Sequence, residues 1–324
     1  MYYEMLKKKL LEQDSVYQAM KAGNIETVKY MEHWDEKRGI SDANFRNRMR
    51  LSHYLLYAEI EDEMAVVQLF REEVKDRQTN SFQGIGRTLV VLTSIMNRYG
   101  YSSKYSTLLE EVKNANFDCF AGYDPQEQIS SDIDELDLIE FIFLARDLDF
   151  KDEMEELVDE WRQGIIVWTD QQRKMLCEFL SFLGKDGEKE SIYKDLLASA
   201  VQNGKIFDMV SAYKQLIHYY IAANDFDSAC LYWRKMTEST DFSEVERSRL
   251  FQGVLEQTFE IITGHVAEAM ELWQWAKPYL QKMAPGSWFG DLYSKAIAAA
   301  SCVGDPYAMK LEKEYLQWKR KSLN

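Results

Sequence analysis

Apolar residues fall at helical spacing in one stretch of this chain after another, and short polar turns cut the stretches at a near-regular interval. In the clearest unit, Met209, Tyr213, Leu216, Ile217 and Tyr220 stand at i, i+4, i+7, i+8 and i+11. That is one stripe of an amphipathic helix. The run AANDF interrupts it. Asn224 and Asp225 suit a tight turn, and Asp227 or Ser228 can cap a following helix. Ala229, Tyr232, Trp233 and Met236 then share one face. Two later units repeat the plan. Phe251, Leu255 and Phe259 precede ITGH, with Ala269, Trp273 and Ala276 beyond it. Tyr293, Ile297 and Ala300 precede VGDP, where Pro306 takes a favoured first-turn position.

Turns of this kind occur at Asn24, Asp62, Tyr101, Phe150, Gly187, Phe226, His265 and Asp305, at intervals of 38, 39, 49, 37, 39, 39 and 40 residues. A period near 39 predicts stacked helical hairpins. The expected fold is all-α, a right-handed α-solenoid of about eight hairpins forming one domain over 1–324, since each hairpin needs only its neighbours. Trp34, Trp161, Trp275 and Tyr315 lie about ten residues past their turns. At helical spacing they read as packing between repeats. The single long interval places extra residues in a loop over 116–132, marked by Gly122, Asp124 and Pro125.

Composition supports order and helix: 46% apolar residues, with only 4 Pro and 15 Gly in 324 residues. The net charge of −15 disfavours nucleic acid and anionic membrane as partners. It suits a basic protein partner, or simple solubility. Cys119, Cys177, Cys230 and Cys302 form no C-x-x-C pair, so neither zinc nor a redox motif is signalled. The first twenty residues read as an amphipathic helix rather than a secretory leader, and no apolar run approaches the ~18 residues of a membrane span. The expected location is the cytoplasm.

Catalytic motifs are missing. His33, His53, His218 and His265 form no metal-ligand spacing, no G-x-S-x-G elbow occurs, and SFQGIGRT lacks the third glycine or the lysine of a phosphate loop. Gly84 and Gly86 fit a helix start or a close crossing. No enzyme, cofactor or metal is therefore expected.

The strongest local bias is acidic. Between Ser131 and Glu160, thirteen acids face only Arg146 and Lys151. Ile133, Leu136, Ile139, Phe143, Leu157 and Trp161 should still fold this stretch as a hairpin, with Asp134, Asp137 and Glu140 along one helix side. It is a solvated face, a docking site for a basic protein, or a cation site, although the D-x-[DN]-x-[DN]-G signature is absent. Candidate partner-binding residues are Asp132, Asp134, Glu135, Asp137 and Glu140, with Tyr123 and Asp124 in the loop and Trp288 in PGSWFG. Tyr123 and Trp288 would be aromatic anchors.

The turn runs AGN, AANDF, ITGH and VGDP, with small residues such as Ala229 and Ala269 after them, resemble a degenerate tetratricopeptide-like or Sel1-like α-solenoid. The acidic hairpin is similar to those of bacterial immunity proteins of toxin–immunity pairs. That resemblance implies a cytoplasmic, non-enzymatic inhibitor that sequesters a basic protein such as a toxin nuclease domain. The solenoid part is also similar to peptide-pheromone receptors, which implies instead a groove for a short signalling peptide. Asn97 and Asn203 are then the candidate backbone ligands. A general protein–protein scaffold is the third alternative.

Overall fold

The computed structural model describes residues 2–36, 39–82, 84–264, 266–283 and 291–322. Trp288 and His265 lie outside them. The described chain is helical apart from one two-stranded antiparallel sheet. It divides into two compact units, Met1–Ile166 and Val167–Asn324. Among the described residues no helix is long and apolar enough to cross a membrane.

The first unit holds α1 (Tyr2–Leu11), α2 (Asp14–Lys21), β1 (Glu32–Asp35), β2 (Gly39–Asp42), α3 (Phe45–Tyr57), α4 (Glu63–Thr79), α5 (Arg87–Arg98), α6 (Ser106–Lys113), α7 (Phe117–Gly122), α8 (Leu138–Asp147) and α9 (Lys151–Gly164). Helix α3 packs on α4 and α5, α8 packs on α9, and α1 lies against α3, α8 and α9. The core is Leu51, Leu55, Val66, Leu69, Phe70, Leu89, Leu92 and Ile95, all fully buried or within 1% of it.

The helix expected after Asn24 does not form. Asn44 Nδ2 donates to the Glu26 and Lys29 carbonyls at 2.9 and 3.0 Å, Asn47 donates to Thr27, and Arg48 donates to Val28. Side chains of α3 thus satisfy the carbonyls that a helix would have satisfied itself. The chain instead enters the β1–β2 hairpin, where Trp34 pairs with Ile40 and stays 65% exposed. Trp34 is therefore not packed between repeats, whereas Trp161 is buried as expected.

The second unit holds α10 (Asp170–Leu183), α11 (Lys189–Asn203), α12 (Ile206–Ala222), α13 (Phe226–Ser239), α14 (Arg249–Thr263), α15 (Ala269–Lys282), α16 (Leu292–Cys302) and α17 (Tyr307–Ser322). Helix α12 packs on α11, α13 and α14; α14 packs on α15 and α16; α16 packs on α17. The apolar stripe read from the sequence is the buried face of α12, with Leu216 and Ile217 at 0% exposure. Buried polar side chains close their own bonds here: Trp233 Nε1 donates to Thr258 at 2.9 Å, and Trp273 Nε1 donates to Asp305 at 2.7 Å. Aromatic rings of Phe242, Phe251, Trp275 and Tyr279 meet edge-on or tilted around the α14–α15 pair.

Seven of the described helices, found in both units, end in the same way. At Gly23, Glu59, Gly100, Asp149, Gly184, Asn224 and Gly304 the backbone turns left-handed, with φ between 49° and 89°. The next residue's N–H then reaches the carbonyl five positions back at 2.8–3.0 Å, as Asp225 does to Tyr220 and Asp305 to Ala300. This is the Schellman stop, which satisfies carbonyls that a helix end otherwise leaves open. Asp225, rather than Asp227 or Ser228, caps α13 by accepting from the Ser228 N–H at 3.0 Å.

Candidate binding cleft

Helix α12 carries its core residues on one side and a stripe on another that is polar from Ser211 to His218. Ser211, Lys214, Gln215, His218, Tyr219 and Ala222 stand at i, i+3, i+4, i+7, i+8 and i+11. A stripe of that length spans about 16 Å. Its first part faces Leu250, Gly253, Glu256, Gln257 and Glu260 of α14 and Lys295 of α16 across a cleft of about 380 Å³. Its second part lines a cleft of about 340 Å³ with Asp186, Lys189 and Tyr193. His218 borders both.

Two lysines and two glutamates line the first cleft, and their formal charges cancel. Lys295 pairs with Glu260 at 2.9 Å and Glu256 at 3.5 Å, and with that support its ammonium is held above the usual lysine range against the cost of burial. Lys214 has no carboxylate or hydrogen-bond partner among the described residues. Its side chain lies across Gly253, where an added Cβ would come within 2.5 Å of Nζ. Gly253 has no left-handed backbone to explain it, and glycine inside a helix costs about 0.5–1 kcal/mol against alanine. An added methyl there would require the flexible end of the Lys214 side chain to move.

Gln257 is 94% buried by residue area, and its side chain lines the same cleft. Its Nε2 donates to the Lys214 carbonyl at 2.9 Å, while its Oε1 is buried with no partner. A buried amide oxygen left open costs about 1–3 kcal/mol.

The residues singled out from the sequence are placed elsewhere. Asp132, Asp134, Glu135, Asp137 and Glu140 are all exposed. They do not share one helix side, because Asp134 and Glu135 sit in a separate 3-10 turn (Ile133–Glu135) and Asp137 is the N-cap of α8. Most have local bonds. Asp132 accepts from the Asp134 N–H at 2.9 Å, Glu135 accepts from Ser130, and Asp137 and Glu140 exchange the bonds of a capping box at 2.8 Å. Basic residues of α1 and α3 also reach the acidic stretch: Lys7 to Asp134 at 3.8 Å, Lys9 to Glu153 at 3.6 Å, and Arg46 to Asp149. The one-dimensional charge count thus overstates the field outside.

Tyr123, expected as an exposed anchor, is instead 2% exposed. Its hydroxyl bonds Thr93 at 2.7 Å, and burial pushes it up to about 12. The loop over 116–132 is fastened rather than free. Asn97 donates to the carbonyls of Pro125 and Glu127 at 3.0 Å each, and the Ile129 N–H donates to Ser94 at 2.9 Å. Asn97 therefore has no spare amide for a peptide. Asp124 is exposed, with its carboxylate accepting from the Gln126 N–H. Asn203 is exposed at the last turn of α11 and does not line the cleft. Trp288 lies outside the described residues.

Other polar groups are structural. Arg48 is fully buried with Asp42, Glu73 and Asp76 around it, bonding Glu73 through Nε and Nη2 at 3.0 and 2.8 Å. Gly86, with φ 80°, is the N-cap of α5, and a Cβ there would meet Arg77 and Glu73 at 3.1 and 3.2 Å. Cys119, Cys177, Cys230 and Cys302 are free thiols, the first three buried. No group of three His, Cys, Asp or Glu side chains among the described residues could hold a metal ion.

No family model matches the chain, and searches of curated proteins and of solved structures return no match.

Proposed function

We propose that this chain is a non-enzymatic peptide-binding protein, built as a right-handed α-solenoid of stacked hairpins, that takes an extended segment along the polar stripe of α12. The observation that carries it is Gln257, buried in the cleft wall with an amide oxygen that lacks a donor. A peptide N–H is a donor of the right kind. Beside it, Ser211, Gln215 and His218 offer further polar groups along one line. About five residues of extended chain match the ~16 Å stripe. The recurring Schellman stops and the packing of alternate helices α12, α14 and α16 support the solenoid. Selection from a randomised library of short peptides tests the proposal. Peptides recovered on the native protein should bind Gln257→Leu about tenfold more weakly, the cost of a lost hydrogen bond to a buried amide. Recovery of no peptide, or equal binding by that variant, rejects it.

A second proposal follows from the exposed carboxylates at Asp132, Asp134, Glu135, Asp137 and Glu140. They would steer a basic protein such as a toxin domain, with Asp124 at the rim, as an immunity-type inhibitor does. Steered association falls steeply with salt. A variant carrying Asp132→Asn, Asp134→Asn and Glu135→Gln that captures basic proteins as well as the native chain rejects this proposal.

A further inference from the structure

The β1–β2 hairpin has one edge that is met and one that is open. The Ile40 N–H donates to Ser81 Oγ, and the Ser81 N–H donates to the Ile40 carbonyl, both at 2.8 Å. Both backbone groups of Ile40 therefore point away from β1. That makes Trp34 and Ile40 a non-hydrogen-bonded pair of the antiparallel ladder, so the Trp34 N–H and C=O point away from β2 in turn. A neighbouring bond agrees. The Ala43 N–H donates to the Met31 carbonyl at 2.9 Å, which puts residues 31, 33 and 35 in the ladder and 32 and 34 outside it. Glu32 and Trp34 thus present two N–H and two C=O groups along the outer edge of β1, about 7 Å apart. Among the described residues no bond reaches these backbone groups.

Glu32, His33 and Trp34 are exposed in succession, so no described element covers the edge. Open strand groups beside an exposed indole are what strand addition uses: main-chain bonds hold the added strand and alternate side chains select it. β1 has two acids and no Lys or Arg, which blunts the edge against acidic strands and favours a basic one. Glu32 stands two residues from Trp34 on the same face, so the preference is for a cation directly opposite Glu32. It belongs to that position alone, because Lys37 and Arg38 follow β1 in the sequence. Four residues a side fall far short of the roughly 20–30 of a stable protein interface, so the edge suits a short flexible segment and not a second folded copy.

We propose that the outer edge of β1 takes up an extended segment of another protein as a third strand, with a β-branched or aromatic residue opposite Trp34 and Lys or Arg opposite Glu32. This site lies in the first unit and does not depend on the α12 cleft.

The experiment passes a randomised library of decapeptides over the immobilised full chain carrying Glu32→Pro and collects what then binds the native chain. Proline at 32 removes an outward N–H and leaves the bonds between β1 and β2 in place, so this variant should melt close to the native protein. The recovered peptides are dye-labelled and titrated by fluorescence polarisation. They should bind Glu32→Pro about tenfold more weakly, from loss of a main-chain bond, and Trp34→Thr several-fold more weakly. Gln257→Leu should bind them as the native chain does. Changing their Lys or Arg to Gln should weaken binding a few-fold. Each peptide is also N-methylated at one residue at a time. Methyl groups at alternate residues should abolish binding and those between should not, because a strand turns every second N–H toward its neighbour. This scan uses the native chain alone, so it decides the matter even where Glu32→Pro melts early. No peptide after the counter-selection, or a scan without alternation, overturns the proposal. Binders indifferent to loss of their Lys and Arg overturn the basic partner. A native dimer in sedimentation that Glu32→Pro abolishes also overturns it, since a second copy then holds the edge.

Discussion

His53 shows how one residue couples burial to pH. It is fully buried in α3, its Nδ1 lies 2.9 Å from the Met49 carbonyl, and its Nε2 has no partner. Burial holds it down at about 4, with Arg87 pushing the same way. The unfolded chain therefore takes up this proton first, so stability is full above about pH 6.5 and falls as the pH drops toward 4. The loss should reach about 3 kcal/mol for this one group. Urea midpoints measured from pH 7 to pH 4 should show it, and His53→Met should flatten that part of the profile. Asp305 acts at lower pH. Its carboxylate accepts from Lys277 and Trp273 at 2.7 Å each and is held down at about 2. Its contribution is present above about pH 4 and goes as the pH falls through 2. Asp305→Asn should remove the steepest acid dependence of the second unit, read by the same titration below pH 4. Arg48 is the costliest single residue to lose. Arg48→Met leaves Asp42, Glu73 and Asp76 buried without their cation, and should cost about 3–5 kcal/mol in guanidinium unfolding.

At the scale of elements, the helix stops carry both agreement and surprise. Turn chemistry was legible at Gly23, Gly100, Gly184 and Gly304, where glycine supplies the left-handed residue. It was less legible at Glu59 and Asp149, whose side chains say little about φ. Asn224→Ala should lower stability by about 1 kcal/mol, because asparagine tolerates this conformation and alanine does not, whereas Asn224→Gly should keep it. Thermal melts of the two variants check this. The capping box at Asp137 and Glu140 was present in the sequence as D-x-x-E before an apolar run, but was read there as surface charge. Its other role is backbone satisfaction, so Asp137→Ala should cost about 1 kcal/mol in the same melts. The β1–β2 hairpin was not legible at all. It depends on Asn44, Asn47 and Arg48 reaching back to the 26–29 carbonyls, a contact across some twenty residues that no local period records.

At the scale of the molecule, the two compact units meet in sequence at Ile166 and Val167, which are 96% and 80% exposed. Brief proteolysis should cut there first and release two helical fragments, seen by mass spectrometry. The second of them carries the whole candidate cleft.

Helix content, the glycine stops at Gly23, Gly100, Gly184 and Gly304, and the apolar stripe of α12 were determined by the chain alone, because they follow from local spacing and backbone hydrogen bonding. The burial of Tyr123, the fastening of the 116–132 loop, and the pairing of acidic residues with Lys7, Lys9 and Arg46 were decided by tertiary structure. So was the candidate site. Gly253 was visible as a lone glycine between Phe251 and Leu255, and only the structure shows the Lys214 side chain lying over it. Charge and exposure depend on which helices meet, and that is set by packing between residues far apart in sequence.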